Sequence, residues 1–435
     1  MAVERRYRTR PIECWQKAKE LRLNHYKQIV SAREDGKLMV TGGAETPQPL
    51  LTGLGEFAFL AGEPYGATIG NEPEMSQQCC EAAESRGFAR DLCGYMKNYW
   101  GSMYTDRFFY GGPFPRPDFC FQLHFCDSHA KWFQVVAEHY GVPYFSLDYP
   151  VLGRHERNDT RRDYMAGQML DFIDWAQKVT GRGYDDEKMI QACRNEFQSS
   201  SLWGEVMLEN QHIPAPLDQK SIFSLYIIAV LMRDTRESVD FNRLLLDEVR
   251  GRVADGIAAL PDERCRLVDD SPPPWYFLRL YRYMEKYGVV VVASHYSILL
   301  AGAVEEGPDG RWGRALSPEE RGMPMKTRED ACRALAQFYL DRHIFDTFFT
   351  GEAKARIHSR IVREWQAEGL IVHQNRGCEG ISMGSSEARL QLLNEGIPVI
   401  AYEGNMADKR EFDQTQVMDR IEAFMESLNL TKLAD

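Results

Sequence analysis

The chain lacks a surplus of positive charge. Its 52 Lys and Arg are outnumbered by 64 Asp and Glu, for a formal charge of −12. A general role in binding nucleic-acid backbones is excluded on that ground, because such binding needs a positive field. The chain also lacks any uninterrupted apolar run approaching the length of a membrane span. Its opening residues, Met1 to Arg8, lead into no apolar segment, so we expect no signal peptide and a cytoplasmic location. Ten cysteines in 435 residues are too sparse for a disulfide framework and fit a reducing compartment. No Cys-x-x-Cys-x-x-Cys run and no G-xxxx-GK-[ST] phosphate loop is present.

What the chain has is enough apolar content, 44%, for two or three packed units. One small pattern recurs four times: Ala61–Gly66, Tyr140–Phe145, Tyr287–Val292 and Glu395–Ile400. Each reads as a helix end, a glycine for the left-handed position, then an entering strand. Repeated units of this kind predict alternating strands and helices with mostly parallel sheets. Two copies lie before residue 150 and two after residue 285. Between them, Tyr164–Val179, Asp185–Leu208, Ile222–Met232 and Val239–Ala259 carry helical spacing. We therefore expect an α/β protein with two flavodoxin-like parallel-sheet domains, residues 1–160 and 261–435, joined by a helical region, residues 161–260. The first domain would carry a helical N-terminal extension. Asp269–Trp275, with three consecutive prolines, reads as a rigid connector or entry loop. Val417, Ile421, Phe424 and Leu428 share one face of a closing helix.

Three cysteines stand in unusual surroundings. Cys378 lies in the polar loop His373–Gly380, directly after the apolar run Gly369–Val372. A residue at the carboxyl end of a buried parallel strand faces the crevice where α/β folds bind ligands. Cys126 ends a strand-like stretch and opens a helical one, in which Trp132, Val135, Val136 and His139 recur. Asp127 or Ser128 is suited to cap that helix, and backbone donors there would favour a thiolate. Cys93 sits in Arg90–Tyr99. Thiolates are soft donors that suit iron, and three of them on a four-iron cube leave one open iron site. Zinc, a catalytic thiol and plain burial are open alternatives at this point. Cys79, Cys80 and Cys120 are weaker ligand candidates, and Cys193, Cys265 and Cys332 read as structural. His124, His129 and His295 are candidate proton donors, with packing or capping as the competing role. Glu403 reads either as a substrate contact or as part of a solvated loop. Arg356, His358 and Arg360 are a candidate anion-binding patch.

These residues carry a family resemblance. Cys93 followed by Gly101, the pair Cys126-Asp127 and the segment His373–Cys378 resemble the benzoyl-CoA reductase and 2-hydroxyacyl-CoA dehydratase family. Two extra residues separate His373 from Cys378 relative to the family pattern. Gly396-Ile397-Pro398 and Glu403-Gly404-Asn405 match the family's late strand and turn, with Asn405 where aspartate is common. Arg410, Gln416 and Arg420–Phe424 fit the segment that follows, and the likeness spans residues 40–430.

The resemblance implies a [4Fe-4S] cluster between the two domains, held by Cys93, Cys126 and Cys378 with one open iron. It implies a related second iron–sulfur subunit, an ATP-hydrolysing electron activator and ferredoxin as the upstream donor. It implies reduction of an aromatic CoA thioester, benzoyl-CoA, to a cyclic dienoyl-CoA by this chain as the larger subunit. The alternatives are a radical 2-hydroxyacyl-CoA dehydratase subunit, or an electron-transfer or structural partner with no substrate chemistry of its own.

Overall fold

A computed structural model describes residues 6–150, 159–270, 272–348 and 350–433. Two four-stranded sheets organise it. The first contains Leu38–Gly42, Phe57–Ala61, Phe119–His124 and Tyr144–Asp148; the second contains Cys265–Asp270, Val289–Ser294, Gly369–Asn375 and Val399–Gly404. All neighbouring strands in both sheets run parallel. Their sequences explain why. Val289–Ser294 and Leu38–Gly42 are buried along their whole length, as strands covered on both faces must be.

Both sheets have the same strand order: second, first, third, fourth. This is the order of flavodoxin-like doubly wound sheets, and it reverses direction between the first and third strands. The crevice at the carboxyl end of that reversal is where such folds hold ligands. Cys126 and Cys378 each lie two or three residues beyond the third strand of their own sheet.

Three of the four repeated units behave as expected. Gly141, Gly288 and Gly396 have φ of 61°, 72° and 79°, and a strand follows each. The Ala61–Gly66 unit runs the other way. Phe57–Ala61 is the strand, and Gly62–Gly70 is the helix that leaves it. Pro64 lies in that helix's first turn, where a missing N–H costs nothing.

The helical readings also hold with local changes. Asp159–Thr180 and Asp186–Glu209 are long helices. The Ile222–Met232 stretch is divided into Gln219–Leu225 and Ile227–Leu231. The next helix, Arg236–Ala254, stops short of Ala259, because Ile257–Ala258 pairs as a short strand with Arg8–Thr9. In the closing helix, Gln414–Ser427, Val417, Ile421 and Phe424 are buried and Leu428 is half-buried just beyond its end. The Asp269–Trp275 reading needs correction: Asp269 and Asp270 are the buried end of a strand, and Trp275 opens a short 3₁₀ turn. Ser271 lies outside the described residues, as do residues 151–158 near the expected boundary at 160.

A buried ionic cluster ties these parts together. Glu45, just after the first strand, pairs with Arg233 at 3.0 Å and with Arg342. Glu196, in the long central helix, stands 3.8 Å from Arg233 and accepts from the Tyr339 hydroxyl at 2.9 Å.

Candidate functional site

Cys93, Cys126 and Cys378 line one cavity. Each occupies the N-cap of a helix: Gly94–Tyr104, Asp127–Tyr140 and Glu379–Ser382 respectively. First-turn backbone N–H groups lie close enough to each sulfur to lower its pKa, although none makes a cap hydrogen bond to it. They belong to Tyr95 and Met96, to Ser128 and His129, and to Ile381 and Ser382. The expected capping by Asp127 or Ser128 is not made; Cys126 occupies the N-cap position, without a side-chain cap hydrogen bond.

The three loops are brought together by close backbone contact. Gly377 has φ of +71°, and a Cβ there would stand 2.5 Å from Asp91 O and 2.6 Å from Leu92 C. Only glycine lets the Cys378 loop lie against the residues preceding Cys93. Asn405 fixes the same corner. Its Oδ1 accepts from Ala407 N and Asp408 N, both at 3.0 Å, and its Nδ2 donates to Arg376 O at 3.0 Å. Behind the Cys93 helix, buried Lys97 pairs with Asp408 at 3.0 Å and Glu84 at 3.2 Å.

Burial raises the pKa of all three thiols, that of Cys126 to about 12. The sulfurs also repel one another as thiolates, Cys93 against both Cys126 and Cys378, which raises them further. The backbone donors pull the other way. Three thiols that share a cavity, resist ionisation through burial and mutual repulsion, and stand at the starts of three helices form a set that a soft, positively charged group would complete. The donor chemistry fits an iron–sulfur cluster held by three cysteines.

Aromatic side chains make up much of the wall, among them Tyr95, Phe125, Trp132, Trp275, Tyr296 and Phe348. Trp275 Nε1 donates to Tyr95 Oη at 2.5 Å, locking two of them. Of the three candidate proton donors, His129 reaches this wall. It is buried, and its Nε2 lies 2.5 Å from Glu63 Oε1, itself a wall residue. His124 is at the end of its strand, 39% exposed, and 3.6 Å from Asp148. His295 is fully buried beside Asp270 and does not line the cavity. His373 is buried in its strand, with Nδ1 at 2.9 Å from Pro272 O and its ring stacked on Tyr402.

The remaining candidates fall elsewhere. Cys79, Cys80 and Cys120 are buried and absent from the cavity wall. Cys193, Cys265 and Cys332 are buried and free, as expected of structural cysteines. Glu403 pairs with Arg376 at 2.8 Å, with both side chains more than half exposed, so it is part of a solvated ion pair. Arg356, His358 and Arg360 do not form one patch. At ~100° per residue, His358 points opposite to both arginines, and it is buried while Arg356 is exposed.

Glu63 and Trp275 escape a reading of the sequence. Proline within two residues of a strand-like run marks a helix start, and that signal at Pro64 locates Glu63 in a first turn facing the crevice. Trp275 is hidden by the prolines before it.

Fold and site together define a class: an α/β protein with paired parallel sheets that gathers three cysteines from helix N-cap positions in an aromatic interior. A family model described as 2-hydroxyglutaryl-CoA dehydratase, D-component, matches residues 46–428, and the chain belongs to that family. It is similar along nearly its whole length to curated proteins. The (R)-phenyllactyl-CoA dehydratase alpha subunit of Clostridium sporogenes is 25% identical, covering 96% of this chain and 98% of that protein. A benzoyl-CoA reductase subunit of Thauera aromatica is 23% identical, over 95% and 94%. The (R)-2-hydroxyisocaproyl-CoA dehydratase alpha subunit of Clostridioides difficile is 22% identical, over 95% of each chain. Among the described residues, no helix is long and apolar enough to cross a membrane.

Proposed function

We propose that this chain is the substrate-facing, cluster-holding subunit of an enzyme that performs one-electron chemistry on an aromatic CoA thioester. One observation carries the reading: three N-cap cysteines from distant segments meet on a single aromatic-walled cavity. Cys93, Cys126 and Cys378 would hold a [4Fe-4S] cluster and leave one iron open. When bound, that group supplies single electrons at low potential.

The chain's own residues then have defined tasks. The aromatic wall accepts a planar acyl group and excludes water, which protects a strongly reducing site from wasteful proton reduction. The His129–Glu63 pair, in contact through Nε2 and Oε1, exchanges a proton at the cavity wall that both residues line. Ala44 N, donating to Glu63 Oε2 at 2.8 Å, holds the carboxylate in turn.

The leading reaction is two-electron reduction of a benzoyl-type ring to a cyclic diene, with protons delivered from this pair. A second reading is favoured by the relative named for (R)-phenyllactyl-CoA, whose acyl group is also aromatic. There the same pair would manage proton loss and departure of water from a 2-hydroxyacyl-CoA, with no net reduction. Either reaction calls for partners: a related second subunit, an ATP-hydrolysing activator and a ferredoxin donor, in the cytoplasm.

The test uses the complete complex, purified anaerobically with activator, ATP and reductant. It is offered benzoyl-CoA and (R)-phenyllactyl-CoA separately, and products are identified by mass. Two added hydrogens on benzoyl-CoA support ring reduction. Loss of water from phenyllactyl-CoA supports dehydration. No turnover of either, with iron and sulfide at full content, would leave an electron relay and defeat the substrate-facing role.

A further inference from the structure

Beside the thiol cavity, a second set of donors converges. Asp270 ends the first strand of the second sheet, His295 opens the helix His295–Leu299, and His358 lies in the helix Gly351–Glu364. All three side chains are at most 1% exposed. His295 Nδ1 is 3.0 Å from Asp270 Oδ1, His358 Nε2 is 3.2 Å from the same oxygen, and the two nitrogens are 3.1 Å apart. The three atoms form a nearly equilateral triangle.

Protons alone do not satisfy this triangle. If both imidazoles donate to Asp270, two N–H groups face each other across 3.1 Å. If one nitrogen gives up its proton, the single remaining N–H must serve both that lone pair and the carboxylate oxygen, and the lone pair still stands 3.0–3.2 Å from that oxygen. Asp270 Oδ2 has no hydrogen-bond donor among the described residues. Three lone pairs that meet at one point are satisfied by a cation. With metal–ligand bonds of ~2.1 Å, neighbouring ligand atoms stand about 3.0 Å apart in octahedral and about 3.4 Å apart in tetrahedral geometry. The observed separations lie in that interval.

We propose that Asp270, His295 and His358 form a mononuclear site for a borderline divalent cation, zinc or ferrous iron, separate from the cysteine site. Two imidazoles and one carboxylate select such an ion over magnesium or calcium, which prefer all-oxygen shells. The site joins a strand of the second sheet to two helices that flank it. Lys354, one turn before His358, does not compete for Asp270. Its ammonium is spent on Met383 O at 2.9 Å, Ser385 Oγ at 3.0 Å and Ile381 O.

The test takes the full chain, strips it with chelator under anaerobic conditions, exposes it to Zn²⁺ alone and removes the excess. Zinc is counted by mass spectrometry, and its shell is read at the zinc absorption edge, which is blind to iron. The expected result is one zinc per chain with a nitrogen and oxygen shell near ~2.0–2.1 Å. The count should persist when Cys93, Cys126 and Cys378 are all replaced by serine, and fall to background in His295→Gln/His358→Gln. No retained zinc in the wild-type chain overturns the proposal. So does a sulfur shell near ~2.3 Å, which would put the ion on the cavity thiols. Undiminished zinc in the double-histidine variant overturns it as well. The absorption measurement on the wild-type chain needs no variant to fold.

Discussion

Glu63 Oε1 lies 2.5 Å from His129 Nε2, and the two side chains share a wall of the cavity that holds the three cysteines. A carboxylate this close orients the imidazole and decides which nitrogen faces it. Replacing His129 by Gln should lower turnover by about 10²-fold or more, the ordinary contribution of a positioned acid–base group. Glu63→Gln should lower kcat while changing KM little, because Gln keeps the shape of the side chain. Iron content, measured alongside, should stay at the wild-type level in both variants. A loss of iron equal to the loss of rate would make the pair a structural support.

Serine at Cys93, Cys126 or Cys378 should each remove most of the iron and sulfide retained after anaerobic reconstitution. Serine at Cys79 or Cys120 should leave both unchanged, since those thiols are buried away from the cavity. Metal and sulfide analysis on the five variants checks the assignment. Full cluster content in all three of the first group would refute it.

Arg342 and Arg233 both pair with Glu45 where no water reaches them. Removing one partner of a buried ionic cluster strands the others, at a cost of about 3–5 kcal/mol. Arg342→Ala should therefore shift the denaturant midpoint far more than Arg321→Ala, whose pairs with Glu305 and Asp341 are partly exposed. Equal shifts would mean that the cluster adds nothing beyond surface pairing.

Glu196 belongs to the same cluster, but its burial outweighs the attraction of Arg233 and Arg342, and its pKa is raised to about 7. In the unfolded chain it returns to an ordinary carboxyl value. The folded state therefore binds the extra proton between the two values. Its contribution to stability is fully present below about pH 4.5 and is lost as pH rises through about 7, an effect of about 3 kcal/mol. Unfolding measured between pH 5 and 8 should show that decline in the wild-type chain and a flatter curve in Glu196→Gln. Parallel curves would sink the linkage.

The sequence exposes features that local chemistry controls. Gly141, Gly288 and Gly396 announce helix ends because a left-handed residue before an apolar run has few other uses. The polar loop after Gly369–Val372 marks Cys378 because parallel strands end at sites. What stayed hidden depends on which element comes first or on distant neighbours. Ala61–Gly66 reads equally well in either direction until Pro64 is taken as a helix start. Asp269, Asp270 and His358 look like surface charges, since nothing local shows that they are buried against one another or against Tyr281. Glu63 gains its meaning from His129, far along the chain, and no spacing rule connects them.

The three cysteines stand at the N-caps of helices, where the first-turn N–H dipoles are fixed by the backbone and cannot rotate away. Negative charge that arrives among their sulfurs meets dipoles already aligned to receive it. In water, the solvent would have to reorient each time such charge came or went, and that reorientation sets much of the barrier to moving an electron. Here the polar surroundings are held by the same hydrogen bonds that hold the helices. With the proposed cluster bound among those sulfurs, the fold would lower the reorganisation barrier as well as set the position of the sulfurs.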